Sequence, residues 1–261
     1  MSRRPEQLAL AFLGEFLLPR SERIPAGMFL ATLSGFGVPE LTTRSVLNRM
    51  KERGLLDDER RGRTLLFGLT AQARQIVGDA DRRVRAEFPF APSGDGWTLV
   101  SFTIPESRRE LRHRIRTALT WAGFASLRDG VWIAPGDIDV RNVIGTTVAG
   151  VSEAGITVFR GVSLDDLTDR RAVSDAWDLE GIRVAHDGFQ QRWTAPTGSE
   201  SAVQEIVALL ADWLALLRSD PRLPNNQLPE NWPADASSRA FAQAYAVLHP
   251  LAQAEFDARL V

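Results

Sequence analysis

Residues 41–50 read Leu41-Thr42-Thr43-Arg44-Ser45-Val46-Leu47-Asn48-Arg49-Met50, and the spacing of their apolar members predicts a helix with two unlike faces. Val46, Leu47 and Met50 recur at the intervals that put side chains on one side of an α-helix, so they are expected to form its buried stripe. At about 100° per residue the opposite side carries Arg44, Ser45, Asn48 and Arg49, with Thr42 near the N-terminal end. The helix should start near Leu41 or Thr42 and end before Gly54.

Working outward, Leu8, Phe12, Leu13 and Phe16 also recur at helical spacing, in a segment that Pro19 ends. Pro25 suits the first position of a second helix, which carries Met28, Phe29 and Leu33 and runs out at Gly35-Phe36-Gly37. Downstream, Leu55-Leu56 and Thr64 to Leu69 flank a charged loop, Asp57 to Arg63, that contains Gly62; this pattern predicts a β-hairpin. Thr70 then caps a fourth helix holding Ala73, Ile76, Val77 and Val84. Helix-helix-helix-hairpin is the order of a winged helix-turn-helix, whose third helix enters the major groove of duplex DNA. The exposed residue types fit that task. Arginine pairs bidentately with guanine, asparagine with adenine, and serine or threonine serve bases or phosphates. The candidate contacts are therefore Thr42, Thr43, Arg44, Ser45, Asn48 and Arg49. Arg60, Arg61 and Arg63 add long cations around Gly62, suited to phosphates or the minor groove. A solvated helix beside a charged turn is the plain alternative, and it is the joint placement of these residues that favours DNA.

The Pro/Gly-rich stretch Phe88-Pro89-Phe90-Ala91-Pro92-Ser93-Gly94 reads as a linker that closes a first domain at residues 1–92. That domain carries a charge of +4, and the remainder −6. A basic head beside an acidic body directs a protein toward polyanions without making it adhesive throughout. Residues 93–164 read as a middle domain of order β-α-β-β-α-β, the ferredoxin-like split motif. Its elements are a strand from Trp97 to Ile104, a helix from Glu106 to Ala122, a hairpin of Phe124–Leu127 and Val131–Ala134, a helix from Asp137 to Val151 and a strand from Ile156 to Val162. Residues 165–261 show helical periodicity throughout: one helix from Arg171 to Trp193, one from Ser199 to Leu217, a Pro-rich loop, and a last helix starting near Ser237. The fold class is thus α+β, with an all-α C-terminal domain.

The chain has no cysteine, which excludes disulfides, thiolate zinc sites and cysteine nucleophiles. The start of the chain faintly imitates a secretory signal, but Glu6, Gln7 and Glu15 break the apolar run; with no span-length apolar stretch, a cytoplasmic protein without membrane contact is expected. His113, His186 and His249 show no metal-binding spacing and are expected on the surface or as satisfied core residues. Gly145-Thr146-Thr147 and Gly150 fall late in a helix, the wrong context for a phosphate loop, so no cofactor is implied. Arg109, Arg112 and Arg116 align on the middle-domain helix, either as a solvated face or as a cationic strip for phosphates, DNA flanks or a second subunit. Trp121, Trp132, Trp177 and Trp193 are expected to anchor cores and domain contacts.

Several strings together resemble one family, the PaaX-type transcriptional repressors. In the first domain they are Thr43 to Met50 with Arg53-Gly54, and Glu59-Arg60-Arg61-Gly62-Arg63. In the middle they are Asp95 to Val100 with Pro105-Glu106, Arg112 to Arg116 leading to Trp121-Ala122-Gly123-Phe124, and Gly130-Val131-Trp132-Ile133. In the tail they are Trp177-Asp178-Leu179, Asp220-Pro221-Arg222-Leu223-Pro224, and Leu228-Pro229-Glu230-Asn231-Trp232-Pro233. The resemblance implies a homodimeric repressor that binds operator DNA and leaves it when an aryl-acyl-CoA thioester, such as phenylacetyl-CoA or another acyl-CoA, binds. Arg109, Arg112, Arg116 and Trp121 are the candidate effector contacts. The resemblance also implies a Cas2-like middle domain. Cas2-like nucleases place a metal-holding aspartate at the end of the first strand, but here Leu99 to Ile104 carries no carboxylate before Glu106, so an enzyme is not expected. A winged helix used for protein contacts and a metal-dependent nuclease are the alternatives. The tail departs from the family pattern with the polar Pro224-Asn225-Asn226-Gln227, and with His186 and Phe189 where tyrosine is common.

Overall fold

The computed structural model describes residues 3–148, 155–163, 165–194 and 201–260. In chain order, α1 (Pro5–Phe12) runs into a π-helical turn (Leu13–Leu17), followed by β1 (Ile24–Pro25), α2 (Ala26–Ser34), α3 (Glu40–Glu52), β2 (Leu56–Arg61), β3 (Thr64–Leu69) and α4 (Ala71–Val84). Next come β4 (Trp97–Thr103), α5 (Arg109–Trp121), β5 (Ala125–Arg128), β6 (Val131–Pro135), α6 (Val140–Val148) and β7 (Gly155–Gly161). Four helices follow: α7 (Asp166–Ala176), α8 (Leu179–Trp193), α9 (Ala202–Ser219) and α10 (Ala234–Leu260). The expected helix end at Val151, the Gly-Thr stretch up to Gly150 and the expected helix start at Ser199 lie partly or wholly outside the described residues. Among the described residues, no helix is long and apolar enough to cross a membrane.

The chain packs as two compact units, each drawn from distant stretches. The first joins Met1–Pro89 to Gly188–Ala215 and Ala236–Val261; the second joins Phe90–Asp187 to Leu216–Asp235.

In the first unit, β1, β3 and β2 form a three-stranded antiparallel sheet beside α1 to α4. Its core is aromatic and drawn from both chain ends. Phe16 of the π turn stacks on Phe256 of α10 at 4.3 Å between ring centroids, and Phe12 meets Phe29 at 4.5 Å. Farther along, Trp213 of α9 stacks on Phe241 of α10 at 4.4 Å, while its indole N–H donates to the Val84 carbonyl at 3.2 Å. One polar cluster lies inside this packing. Glu15, buried in the π turn, meets His249 Nδ1 at 2.6 Å and accepts from the Tyr245 hydroxyl at 3.1 Å and from Gln253 Nε2 at 3.0 Å. A π turn widens the helix locally and re-aims its side chains, and here it carries the buried carboxylate.

The charged run Asp57 to Arg61 is not a loop. It is strand β2, paired residue by residue with β3 from Leu56↔Leu69 to Arg61↔Thr64. Backbone pairing is indifferent to side-chain charge when one strand face is open to water, so a hydropathy pattern mistakes such a strand for a loop. The turn shrinks to Gly62 and Arg63. Gly62 has φ +59°, the left-handed geometry that a two-residue hairpin turn requires at its first central position. The expected single helix from Arg171 to Trp193 is two helices. Trp177 is extended (φ −126°, ψ 139°), and the Asp178 carboxylate accepts from the Gly181 N–H at 2.9 Å, capping α8. Pro25 lies in β1 and precedes α2 instead of opening it.

In the second unit the sheet order is β5-β6-β4-β7 with every neighbouring pair antiparallel, the order of the split motif. Val100, Phe102 and Trp132 face Ile115 and Leu119 of α5 and Ile144 of α6 on one side. On the other, Trp97 and Ile133 pack with Val173 of α7 and Leu223, and Trp97 Nε1 donates to Asp169 at 2.8 Å. His186 is fully buried with its Nε2 2.9 Å from Asp220, a satisfied core histidine.

Two outcomes follow from the first unit. Phe256→Ala should cost about 3–5 kcal/mol, measured by denaturant unfolding, because it removes a buried ring from a core shared with α1. Tyr245, the single tyrosine of the chain, has its pKa pushed up to about 12 by burial and by the Glu15 charge, against the opposing Arg85. The folded state therefore holds the phenolic proton more tightly than the unfolded chain. Stability from this group is complete below about pH 10 and is lost as pH rises through about 12. Absorbance at alkaline pH should show one phenol titrating late in the folded protein and about 10 in denaturant.

Candidate nucleic-acid interface

Helix α3 is positioned from below. Gly37 takes a left-handed conformation (φ +73°), Pro39 sets the extended entry, and Val46, Leu47 and Met50 are buried. Their burial fixes the helix rotation and leaves Arg44, Ser45, Asn48 and Arg49 exposed, with Thr42 half-buried at the edge. Thr43 departs from the expected set. It is buried at 1% exposure, and its hydroxyl turns onto the Pro39 carbonyl. The reason is visible in the spacing: Thr43 precedes Val46 and Leu47 by three and four residues, so it belongs to their stripe. Leu41, by contrast, is 81% exposed beside Arg44 at the helix start. An apolar residue off the buried stripe is the signal that marks it.

The exposed arginines are held by weak local pairs. Arg44 meets Glu40 at 2.7 Å one turn back, and Arg49 donates to the Ser45 hydroxyl at 2.7 Å. An open pair such as Arg44–Glu40 contributes at most about 1 kcal/mol, so it aims the guanidinium without sequestering it. On the hairpin, Arg60, Arg61 and Arg63 are exposed around the turn. Arg61 bonds Glu59 at 2.8 Å; this holds the Glu59 carboxyl below its ordinary value and the guanidinium above its own. Arg23 braces the base of the same strand against Asp57 at 3.0 Å and Glu59 at 3.4 Å.

The second candidate group does not come together as a strip. Arg112 is partly buried, donates to the Ile104 carbonyl at 2.8 Å and pairs with Glu106 at 3.0 Å, tying α5 to the short turn before it. Arg109 and Arg116 remain exposed on the helix surface. Trp121 anchors no core: it is 59% exposed at the end of α5, with the Arg218 guanidinium 4.8 Å from its ring centre.

Comparison with known families finds one lineage along most of the chain. The description "PaaX-like protein" matches residues 4–73, "PaaX protein central Cas2-like domain" matches 91–173, and "PaaX-like protein C-terminal domain" matches 177–258. The chain belongs to the PaaX family. Its central domain is therefore Cas2-like, in keeping with the β5-β6-β4-β7 order. Among PaaX relatives, the transcriptional repressor PaaX of Escherichia coli is 25% identical over 263 residues, covering 95% of this chain and 81% of that protein. An uncharacterised protein of Mycobacterium tuberculosis has a solved structure with the same fold. The TM-score is 0.58 at 22% identity, over 95% of this chain and 96% of that one.

Proposed function

We propose that the head of this PaaX-family chain is a winged helix-turn-helix, that α3 enters the major groove of an operator, and that the protein represses transcription. The observation that carries this reading is the exposed face Arg44, Ser45, Asn48 and Arg49 on a helix whose rotation is fixed by three buried apolar residues. On this reading Arg44 exchanges Glu40 for a guanine edge, Asn48 reads adenine, and Leu41 supplies apolar contact to a thymine methyl. The β2–β3 hairpin is the wing, with Arg60, Arg61 and Arg63 meeting phosphates. The relative named as a transcriptional repressor supports the same role. Two copies on a pseudo-palindrome, released by an aryl-acyl-CoA effector, complete the proposal, and Arg109, Arg116 and Trp121 remain the candidate effector contacts. Arg112 is left out because its guanidinium is committed to Ile104 and Glu106.

Gel shifts on the chain's own promoter, against random duplex at matched salt, test this. Arg44→Ala, Asn48→Ala and Arg49→Ala should each cost about 1–3 kcal/mol on the operator and little on random DNA. Arg61→Ala should weaken both targets alike and reduce the salt slope by about 1. If the double variant Arg44→Ala/Arg49→Ala kept full operator affinity, the reading face would be wrong. A thermal-shift screen against acyl-CoAs should show stabilisation by the effector, together with loss of the shifted band.

A further inference from the structure

Two strings far apart in the sequence, Trp121-Ala122-Gly123 and Asp220-Pro221-Arg222, meet within the second unit. Trp121 stands 59% exposed at the end of α5, and the Arg218 guanidinium lies 4.8 Å from its ring centre. The Arg222 side chain reaches the same turn: its Nη2 passes 3.8 Å from the point that a β-carbon on Gly123 would occupy. Arg222 also borders a hollow of about 360 Å³ at the start of α6, with Ser93, Asp137, Asp139 and Asn142.

Neither guanidinium is neutralised. Among the described residues, the side chains of Arg218 and Arg222 have no ion-pair or hydrogen-bond partner, although both are half-buried. Burial holds both below the ordinary arginine pKa, and the Asp220 charge opposes this at Arg222. The nearby carboxylates are committed elsewhere. Asp220 is buried, meeting His186 Nε2 at 2.9 Å and accepting from the Arg222 backbone N–H at 2.6 Å. Asp137 pairs with Arg160 at 2.8 Å, and Asp139 caps α6 through the Arg141 and Asn142 N–H groups. Taking a cation out of water without a partner is costly, and Arg222 adds a second cost. Its φ of +61° is left-handed, a geometry that residues other than glycine rarely take. The bond to Asp220 holds it there, so the backbone aims the guanidinium. Strain fixed in this way by its surroundings collects where ligands are clamped.

An exposed indole beside two uncompensated guanidiniums suits one ligand chemistry. A flat ring stacks on tryptophan, and two cations call for more negative charge than a single carboxylate carries, which phosphates supply. We infer that Trp121, Arg218 and Arg222 bind a small molecule that joins a flat ring to phosphates, either a nucleotide or the nucleotide end of a larger effector. The site serves the small effector of the proposed function and rests on that reading, but it is built from other residues. Arg109 opens α5 and Trp121 closes it, about 18 Å apart along the axis. Arg116 points about 140° round the helix from Trp121. Neither shares a site with the indole, and Arg218 and Arg222 take their place.

Isothermal titration of the full chain should show binding of ADP and of coenzyme A, with adenosine and pyrophosphate each about tenfold or more weaker than ADP. ADP binding more tightly than coenzyme A supports a free nucleotide as the ligand, and the reverse order supports a nucleotide-bearing one. Trp121→Ala should weaken ADP about tenfold and leave pyrophosphate unchanged. Arg218→Gln and Arg222→Gly should each weaken both about tenfold. Because Arg222→Gly relieves the left-handed strain, it should melt no lower than the parent; a lowered melting temperature marks a structural arginine and overturns its role. Absence of ADP and coenzyme A binding at millimolar concentration overturns the site, as does binding indifferent to both arginine variants, or a single-stranded oligonucleotide that outcompetes both ligands. An acyl-CoA that still releases operator from Arg218→Gln/Arg222→Gly sinks the site and spares the effector reading. ADP or coenzyme A binding that leaves the operator complex intact at every acyl-CoA tried does the reverse.

Discussion

The stacking of Phe16 on Phe256 closes the core that the first unit depends on. Four short helices and a narrow sheet offer too little apolar surface to define a rigid core on their own, since small domains bury a smaller share of their surface than large ones. The last turns of the chain supply what is missing. Phe256 reaches Phe12 and Phe16, and Trp213 is fixed to the end of α4 by its bond to the Val84 carbonyl. The rotation of α3, and with it the direction of Arg44 and Arg49, rests on a core completed from the far end of the sequence.

The cluster around Glu15 sits in the same seam. A buried carboxylate is tolerated only with several donors, and here they come from α10. Apolar stacking gives that contact its strength, and the hydrogen bonds of Tyr245, His249 and Gln253 give it one register. The π turn lets a single residue, Glu15, point inward between Leu13 and Phe16 without breaking the helix.

Much of this was legible in the sequence. The order of elements in the first two-thirds of the chain and the buried stripe of α3 follow from periodicity, because each helix or strand buries one continuous face. The inward placement of Thr43 was also encoded in its spacing, but its polarity masks it. What the sequence hides is of two kinds. Strand β2 is charged because its open face meets water, so hydropathy reports its surroundings and not its backbone. Asp178 ends one helix and begins another through a hydrogen bond, which no periodic pattern records. Long-range closure is invisible in the same way: nothing near Phe12 announces that its partner lies at Phe256. The commitment of Arg112 to the Ile104 carbonyl is likewise a product of tertiary geometry.

Strand β2 presents three carboxylates and then two guanidiniums along an edge that ends in a tight glycine turn. A sheet edge of bare backbone donors and acceptors invites other strands to join it, and a row of charges discourages them. The charged residues of this hairpin keep it from knitting to its neighbours in a crowded solution. Neutralising the arginines would thus change more than the charge of the turn. It would remove the guard from an open seam, and the first visible loss would be solubility.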